Sequence, residues 1–156
     1  MPVTGRAAST SPSTGWGGSG TCSSEAAQEL FDEIAEGRLG DVHATWHCCL
    51  ELYSVATRLP VEYRLSAELA ARLLEEEIQT RFQIHGLPAA GRAGFFTSAA
   101  QDDVKGGRVH DFHIAEAARI GGARIVVTEN RRHFSPLLRY GIRVVTAAEL
   151  LKELSG

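Results

Sequence analysis

The chain has few cysteines and no long apolar run, and each of these absences excludes a class of protein. Its three cysteines, Cys22, Cys48 and Cys49, are odd in number and two are adjacent, which makes a poor disulfide framework and favours a reducing, cytoplasmic setting. No apolar stretch approaches the roughly 18 residues that a membrane span needs. No apolar segment follows Arg6 either, so we expect neither a membrane partner nor a secretory signal.

Zinc-ligand spacings and an excess of positive charge are also missing. No Cys-x-x-Cys or His-Glu-x-x-His pattern occurs, so we interpret the pair His43 and His47 and the pair His110 and His113 as core or surface residues. The net charge is -3 and the pI is near 6.1. A mildly acidic protein is no general nucleic-acid coat, so any contact with nucleic acid requires a local basic patch.

The first 23 residues carry no carboxylate and are rich in Gly, Ser and Thr. Such a composition buries too little apolar surface to offset the entropy of ordering, so we predict that residues 1–23 are disordered and that residues 24–156 form one domain. Residues 15–20 match the dinucleotide-binding pattern Gly-x-Gly-x-x-Gly. No strand pattern precedes them, so we reject a nucleotide-binding loop.

From Ser24 onward, helical periodicity alternates with short β-branched runs. We predict helices over 24–35, 48–59, 66–78 and 109–120, a further helix within 89–107, and a last helix that begins at the capping box of Thr146 and Glu149. Short strands are predicted at 42–44, 82–84, 125–127 and 142–145. This alternation indicates an α/β layer fold with a mostly parallel sheet flanked by helices.

The most informative stretch runs from Gly107 to Phe134. It opens a helix with the acid Asp111, and that helix leads into the apolar strand 125–127, which ends in Thr128-Glu-Asn130 and is followed by Arg-Arg-His-Phe. Because ligands of parallel sheets bind beyond the carboxyl ends of the strands, we expect Thr128 and Asn130 to lie at a site that Asp111 can reach.

This stretch resembles the C-terminal half of PIN domains, in which an Asp opens a helix and a strand runs into Thr-x-Asn or Thr-x-Asp and then His-Phe or Asp-Phe. Upstream, Leu50-Glu-Leu-Tyr-Ser-Val-Ala-Thr-Arg-Leu-Pro60 is similar to the VapC toxin segment with a Glu on the helix after the second strand. The resemblance implies a three-layer PIN-like fold. It also implies metal-ligand roles for Glu51, Asp111 and Asn130, with a supporting catalytic role for Thr128 and Mg²⁺ or Mn²⁺ as the cofactor.

The chain departs from the family at its N-terminus. PIN domains begin with a central strand that ends in an Asp ligand, of the form Val-Leu-Asp-Thr-Ser, whereas the residues before Ser24 contain neither a β-branched apolar run nor an acid. We therefore expect the first central strand to be absent or degraded, or this N-terminus to differ from that of the functional gene product.

The resemblance implies a metal-dependent endoribonuclease, the toxin of a toxin–antitoxin pair, with RNA as its substrate, a small cognate antitoxin as its partner and a homodimeric state. Loss of the first Asp leads us to expect weak or no activity until a strand-end Asp is restored. Two alternatives stay open: a catalytically inactive PIN-like protein that binds an antitoxin or a sister toxin, and a small-molecule-binding α/β module.

Overall fold

The computed structural model describes the backbone of residues 7–9 and 20–156, and the side chains from Glu25 onward. The strands are β1 (Ala7–Ser9), β2 (Val42–Thr45), β3 (Gln83–His85), β4 (Ile125–Val127) and β5 (Arg143–Val145). The α-helices are α1 (Gly20–Ala35), α2 (Trp46–Arg58), α3 (Ala67–Arg72), α4 (Gln79–Arg81), α5 (Ala89–Arg92), α6 (Phe95–Gln101), α7 (Arg108–Ile120), α8 (Arg131–Phe134) and α9 (Ala147–Leu154). A π-helical segment, Leu73–Ile78, joins α3 to α4, and a 3-10 segment, Ser135–Tyr140, follows α8.

The five strands form one parallel sheet in the order β3-β2-β1-β4-β5. The predicted α/β class with a parallel sheet is therefore confirmed. The chain moves outward from β1 to β2 and β3, and then returns to the other side of β1 to add β4 and β5. Because the direction of winding reverses between β1 and β4, their carboxyl ends flank the crevice in which doubly wound sheets bind ligands.

The expectation that the first central strand is missing is wrong. Ala7–Ser9 pairs with β2 on one side and with β4 on the other, and Ser9 is in register with Ala44 and Val127. The small residues Ala-Ala-Ser have weak strand propensity, but two flanking ladders of backbone hydrogen bonds override a weak local preference. The strand is thus present, and the residue at its carboxyl end is Ser9 and not an acid.

The predicted disordered segment falls largely on residues outside the described part of the chain, including the glycine-rich run 15–19. The expectation does not hold for its two described stretches, because 7–9 is strand and α1 already begins at Gly20.

Side chains of successive strand residues enter different cores on the two faces of the sheet. Val127 and Val145 pack with the helices of one face, whereas Val126 and Val144 pack with those of the other. The first core includes Leu30, Ile34, Val42, Leu74, Ile78, Phe82, Leu150 and Leu151. The second includes Cys48, Ile114, Ala115, Ala118, Phe134, Leu137 and Ile142. Apolar contacts on both sides explain the β-branched composition of β4 and confirm the three-layer arrangement.

Capping side chains define where several helices begin. Thr45 accepts a hydrogen bond from the backbone N–H of Cys48, and Ser66 accepts one from Leu69, so both act as N-caps. The capping box predicted at the start of α9 is confirmed, because Thr146 and Glu149 exchange side-chain and backbone hydrogen bonds.

Other boundaries differ from the prediction. The region 89–107 contains two short helices instead of one, because Gly94 between α5 and α6 has a φ of 75°, a left-handed conformation that interrupts a helix.

Within the described part of the chain, no helix combines the length and apolar character that a membrane crossing requires.

Candidate functional site

The turn after β4 carries two of the residues predicted to form the site. The ladder with β5 continues one residue past β4, because the N–H of Thr128 donates to the carbonyl of Val145 at 2.9 Å. The Thr128 side chain is only 4% exposed, and its hydroxyl oxygen accepts a hydrogen bond from the backbone N–H of Asn130 at 3.1 Å. Thr128 therefore shapes the turn that presents Asn130 at the carboxyl edge of the sheet.

Asp111 and Asn130 meet at one imidazole. His133 Nδ1 lies 2.6 Å from Asp111 Oδ2 and 2.7 Å from the Asn130 side-chain amide. A carboxylate only accepts hydrogen bonds, so Nδ1 carries the proton and donates it to Asp111. In the structure the Asn130 Nδ2 faces this nitrogen; because a protonated Nδ1 cannot accept from an NH₂ group, we assign the amide the flipped orientation, with its oxygen toward the N–H. Oxygens of two predicted ligands thus converge on one point.

The position of His133 follows from the packing of α8. The next residue, Phe134, is 1% exposed and packs in the second core. On the solvent side, Arg131 Nη1 lies 2.7 Å from a carboxylate oxygen of Glu149 in α9. A buried anchor at Phe134 and a surface ion pair at Arg131 therefore orient the short helix that carries His133.

Glu51 lies on α2, and its side chain is 40% exposed. Its Oε1 is 3.3 Å from His47 Nε2, and the His47 ring stacks on the ring of His110 with centroids 4.8 Å apart and planes 10° apart. His110 directly precedes Asp111 on α7. The imidazole of His47 therefore stands between Glu51 and His110, the residue before Asp111. Convergence of Glu51 with Asp111 and Asn130 in one cleft stays a prediction.

A third imidazole completes a histidine cluster of His47, His110 and His113. His113 packs edge-on against His47, with ring centroids 5.7 Å apart, and also approaches the ring of Phe95. Burial, together with the neighbouring His47 and His110, lowers the pKa of His113. His113 is therefore neutral at neutral pH and can both donate and accept a hydrogen bond.

The side chains that would hold a divalent ion can be judged by their chemistry. Mg²⁺ prefers oxygen ligands and commonly uses one or two carboxylates, with waters and substrate phosphates completing its shell. Asp111 and Asn130 already direct oxygens at a positively polarised N–H, which is the electrostatic arrangement that a hard cation requires. Among residues 25–156, however, no group of three or more His, Cys, Asp or Glu side chains is arranged to hold a metal ion. The oxygen ligands are therefore of the type that Mg²⁺ prefers, but few of them carry a charge.

The histidines are the site residues that sequence reasoning missed. From the sequence, we interpret His47, His110 and His113 as core or surface residues and give His133 no role of its own. In the structure, His133 contacts Asp111 and Asn130, and His47 contacts Glu51. The His-Phe pair after Thr-x-Asn was the available signal for His133. No local pattern could indicate that His47 and His110, 63 positions apart, would stack on each other.

The fold and the position of the candidate residues define a PIN-like α/β domain. The solved VapBC-1 complex from nontypeable Haemophilus influenzae is similar over 92% of this chain and 98% of its own, with a TM-score of 0.58 and 12% identity. The solved FitAB complex bound to an IR36 DNA fragment is similar over 90% and 94%, with a TM-score of 0.57 and 14% identity. These likenesses confirm the PIN-like fold.

Within that class, the sequence resembles VapC-type toxins, as the motifs predicted. Ribonuclease VapC40 of Mycobacterium tuberculosis, from strains H37Rv and CDC 1551, is 29% identical over 90 residues, which are 58% of this chain. The match spans 66% of the length of that curated relative. No protein-family model matches the chain.

Proposed function

We propose that this chain is a metal-dependent endoribonuclease of the VapC type, the toxin of a toxin–antitoxin pair. The observation that carries the proposal is the meeting of Asp111 and Asn130 at His133 beside the switch point of the sheet. The similarity to Ribonuclease VapC40 supports phosphodiester hydrolysis in RNA as the activity. The VapBC-1 and FitAB complexes support a small antitoxin as the partner. A homodimeric state and a cytoplasmic location, where RNA is available, complete the proposal.

Asp111, Asn130 and Glu51 are the residues that would hold Mg²⁺ or Mn²⁺. A bound ion supplies an activated water and neutralises charge on the phosphate. Thr128 fixes the turn that orients Asn130, and His133 holds its Nδ1 proton between the oxygens of Asp111 and Asn130. These contacts hold the two side chains in place before substrate arrives, which limits the reorganisation needed during the reaction.

The charge of this donor set leads us to propose weak activity. Asn130 is neutral, and β1 ends in Ser9 instead of an acid, so Glu51 and Asp111 are the proposed ligands that carry charge. Two carboxylates can hold Mg²⁺, but with lower affinity and poorer control of the water. Misplacement of the reacting groups by about 1 Å can lower the rate about a hundredfold.

The test is cleavage of total RNA by the purified protein with Mg²⁺, with Mn²⁺ and with EDTA. We expect slow, metal-dependent cleavage by the natural chain, loss of cleavage in Asp111→Asn, and an increase of about a hundredfold in Ser9→Asp. Calorimetric titration with Mg²⁺ should show tighter binding by Ser9→Asp. Glu76→Gln is the matched acid-to-amide control, because Glu76 is exposed and its carboxylate pairs with Arg72 on the surface.

Equal cleavage by the natural chain and by Asp111→Asn would refute the site and point to a contaminating nuclease or to another location. Rapid cleavage by the natural chain that Asp111→Asn abolishes would keep the site but contradict the weak activity proposed for it.

A catalytically inactive PIN-like protein that binds an antitoxin or a sister toxin is the second candidate. The observation in its favour is that residues 25–156 contain no three-residue metal group and that β1 ends in Ser9. This candidate predicts no cleavage by the natural chain with either metal, and a stable complex with the antitoxin encoded beside it. Size-exclusion chromatography of the co-expressed pair measures that complex.

A further inference from the structure

A cavity of about 500 Å³ opens beside the candidate site. It lies between the start of α2, the loop after β3, and helices α6 and α7. Its aromatic walls are Trp46, Phe95 and Phe96, of which Trp46 is 51% and Phe96 77% exposed. This volume is within the range of pockets that hold small ligands.

Two imidazoles of the histidine cluster also line this cavity, and each has a buried ring nitrogen that finds no hydrogen-bond partner among the residues that the structure describes. These atoms are His47 Nε2 and His113 Nδ1. His47 Nε2 is close enough to Glu51 for electrostatic attraction, at 3.3 Å, but the pair lacks hydrogen-bond geometry. Buried polar atoms in folded proteins normally have partners, so two unpartnered nitrogens on one cavity indicate a polar ligand.

We propose that this cavity binds one unstacked nucleobase of the RNA, next to the phosphate that is cleaved. The proposal rests on the ribonuclease function proposed above and assigns to it a specificity site. The exposed aromatic rings of Trp46 and Phe96 provide faces on which a base can stack. The ring nitrogens of His47 and His113 provide hydrogen-bond partners for the base edge.

A base fits this set of groups better than an apolar side chain of a protein partner would. An apolar side chain would cover His47 and His113 and leave their nitrogens unpaired, which is costly. A base edge, in contrast, offers both donors and acceptors, so it can pair with the ring nitrogens of His47 and His113.

Charge and position also favour a nucleotide. Arg92 lines the cavity and donates a hydrogen bond from Nε to the carbonyl of Leu87. It forms no ion pair with an acid among the residues that the structure describes, so its charge is available to a phosphate. His47, which lines the cavity, lies 3.3 Å from a carboxylate oxygen of the candidate ligand Glu51. A base in the cavity therefore places its own phosphate near the candidate ligands.

The experiment uses Trp46 as a fluorescent reporter, in the full-length protein with Trp16→Phe so that only one tryptophan remains. Adenosine, guanosine, cytidine and uridine 5′-monophosphates are titrated without divalent ions, with ribose 5-phosphate as the probe that lacks a base. We expect saturable quenching by at least one nucleotide and none by ribose 5-phosphate. Phe96→Ala should weaken binding about tenfold, because it removes a stacking surface.

A second variant, His113→Leu, tests recognition of the base edge and should reduce the preference among the four nucleotides. Tyr63→Ala is the matched aromatic control, since Tyr63 is exposed and lies outside the cavity, and it should leave binding unchanged. If His113→Leu does not fold, Phe96→Ala decides the question alone, because Phe96 is a surface residue.

Equal quenching by ribose 5-phosphate, or unchanged nucleotide binding in Phe96→Ala, would overturn the proposal. A shift of Trp46 emission on binding the cognate antitoxin, with no response to any nucleotide, would also overturn it and assign the cavity to the protein partner. Because the titration needs no metal, nucleotide binding by a chain that cleaves no RNA would support the base site and contradict the ribonuclease function.

Discussion

Replacing Phe134 by Ala tests how the core holds the candidate site. Phe134 is 1% exposed and packs among Ile114, Val126 and Leu137, each of which is at most 2% exposed. Removing a fully buried Phe side chain costs about 3–5 kcal/mol, because apolar surface is lost from the core and a cavity remains. Small domains are stable by about 5–15 kcal/mol, so the variant should fold with a much reduced margin.

In a domain of this size, each kcal/mol corresponds to about 2–4 °C in Tm, so the expected decrease is about 6–20 °C. Urea and thermal unfolding followed by circular dichroism measure the change. Phe96→Ala is the matched control, because the same substitution at a ring that is 77% exposed should change the stability by at most about 0.5 kcal/mol.

The same substitution should loosen the contact of His133 with Asp111, because Phe134 anchors the short helix α8 that carries His133. The imidazole resonances of His133 in NMR spectra should broaden or shift in Phe134→Ala and stay unchanged in Phe96→Ala. A loss of stability below about 1 kcal/mol, or equal losses in the two variants, would refute the assignment of Phe134 as a core anchor.

Two further predictions concern a helix cap and a histidine. Thr146→Ala should destabilise the protein by about 1 kcal/mol in urea unfolding at pH 7, because it removes half of the capping box of α9; an unchanged midpoint would contradict this role. Because burial lowers the pKa of His113 below its ordinary 6.5, the unfolded chain takes up a proton at this residue before the folded protein does. The free energy of unfolding should therefore fall as the pH drops below about 6.5. The variant His113→Gln should flatten that part of the stability–pH curve. An identical slope in this variant would show that other groups cause the loss of stability.

Local patterns were sufficient for the strands β2 to β5 and for several helix boundaries. The apolar run 125–127 matches β4 residue for residue, and Thr146 with Glu149 marked the start of α9. These features depend on residues close together in the chain, whose β-branched side chains and capping oxygens act on the nearby backbone. The same holds for Asp111 and Asn130, whose places at a helix start and after a strand end could be inferred from the motif.

Only the tertiary structure decided that a central strand exists and what surrounds the candidate ligands. Ala7-Ala-Ser9 has no strand signal of its own, and its conformation depends on backbone hydrogen bonds to β2 and β4, which lie far away in sequence. The contact of His133 with Asp111 bridges 22 positions, and the stacking of His47 on His110 joins α2 to α7. Such contacts arise from the order of strands and the packing of helices on both faces, which the periodicity of a single segment does not contain.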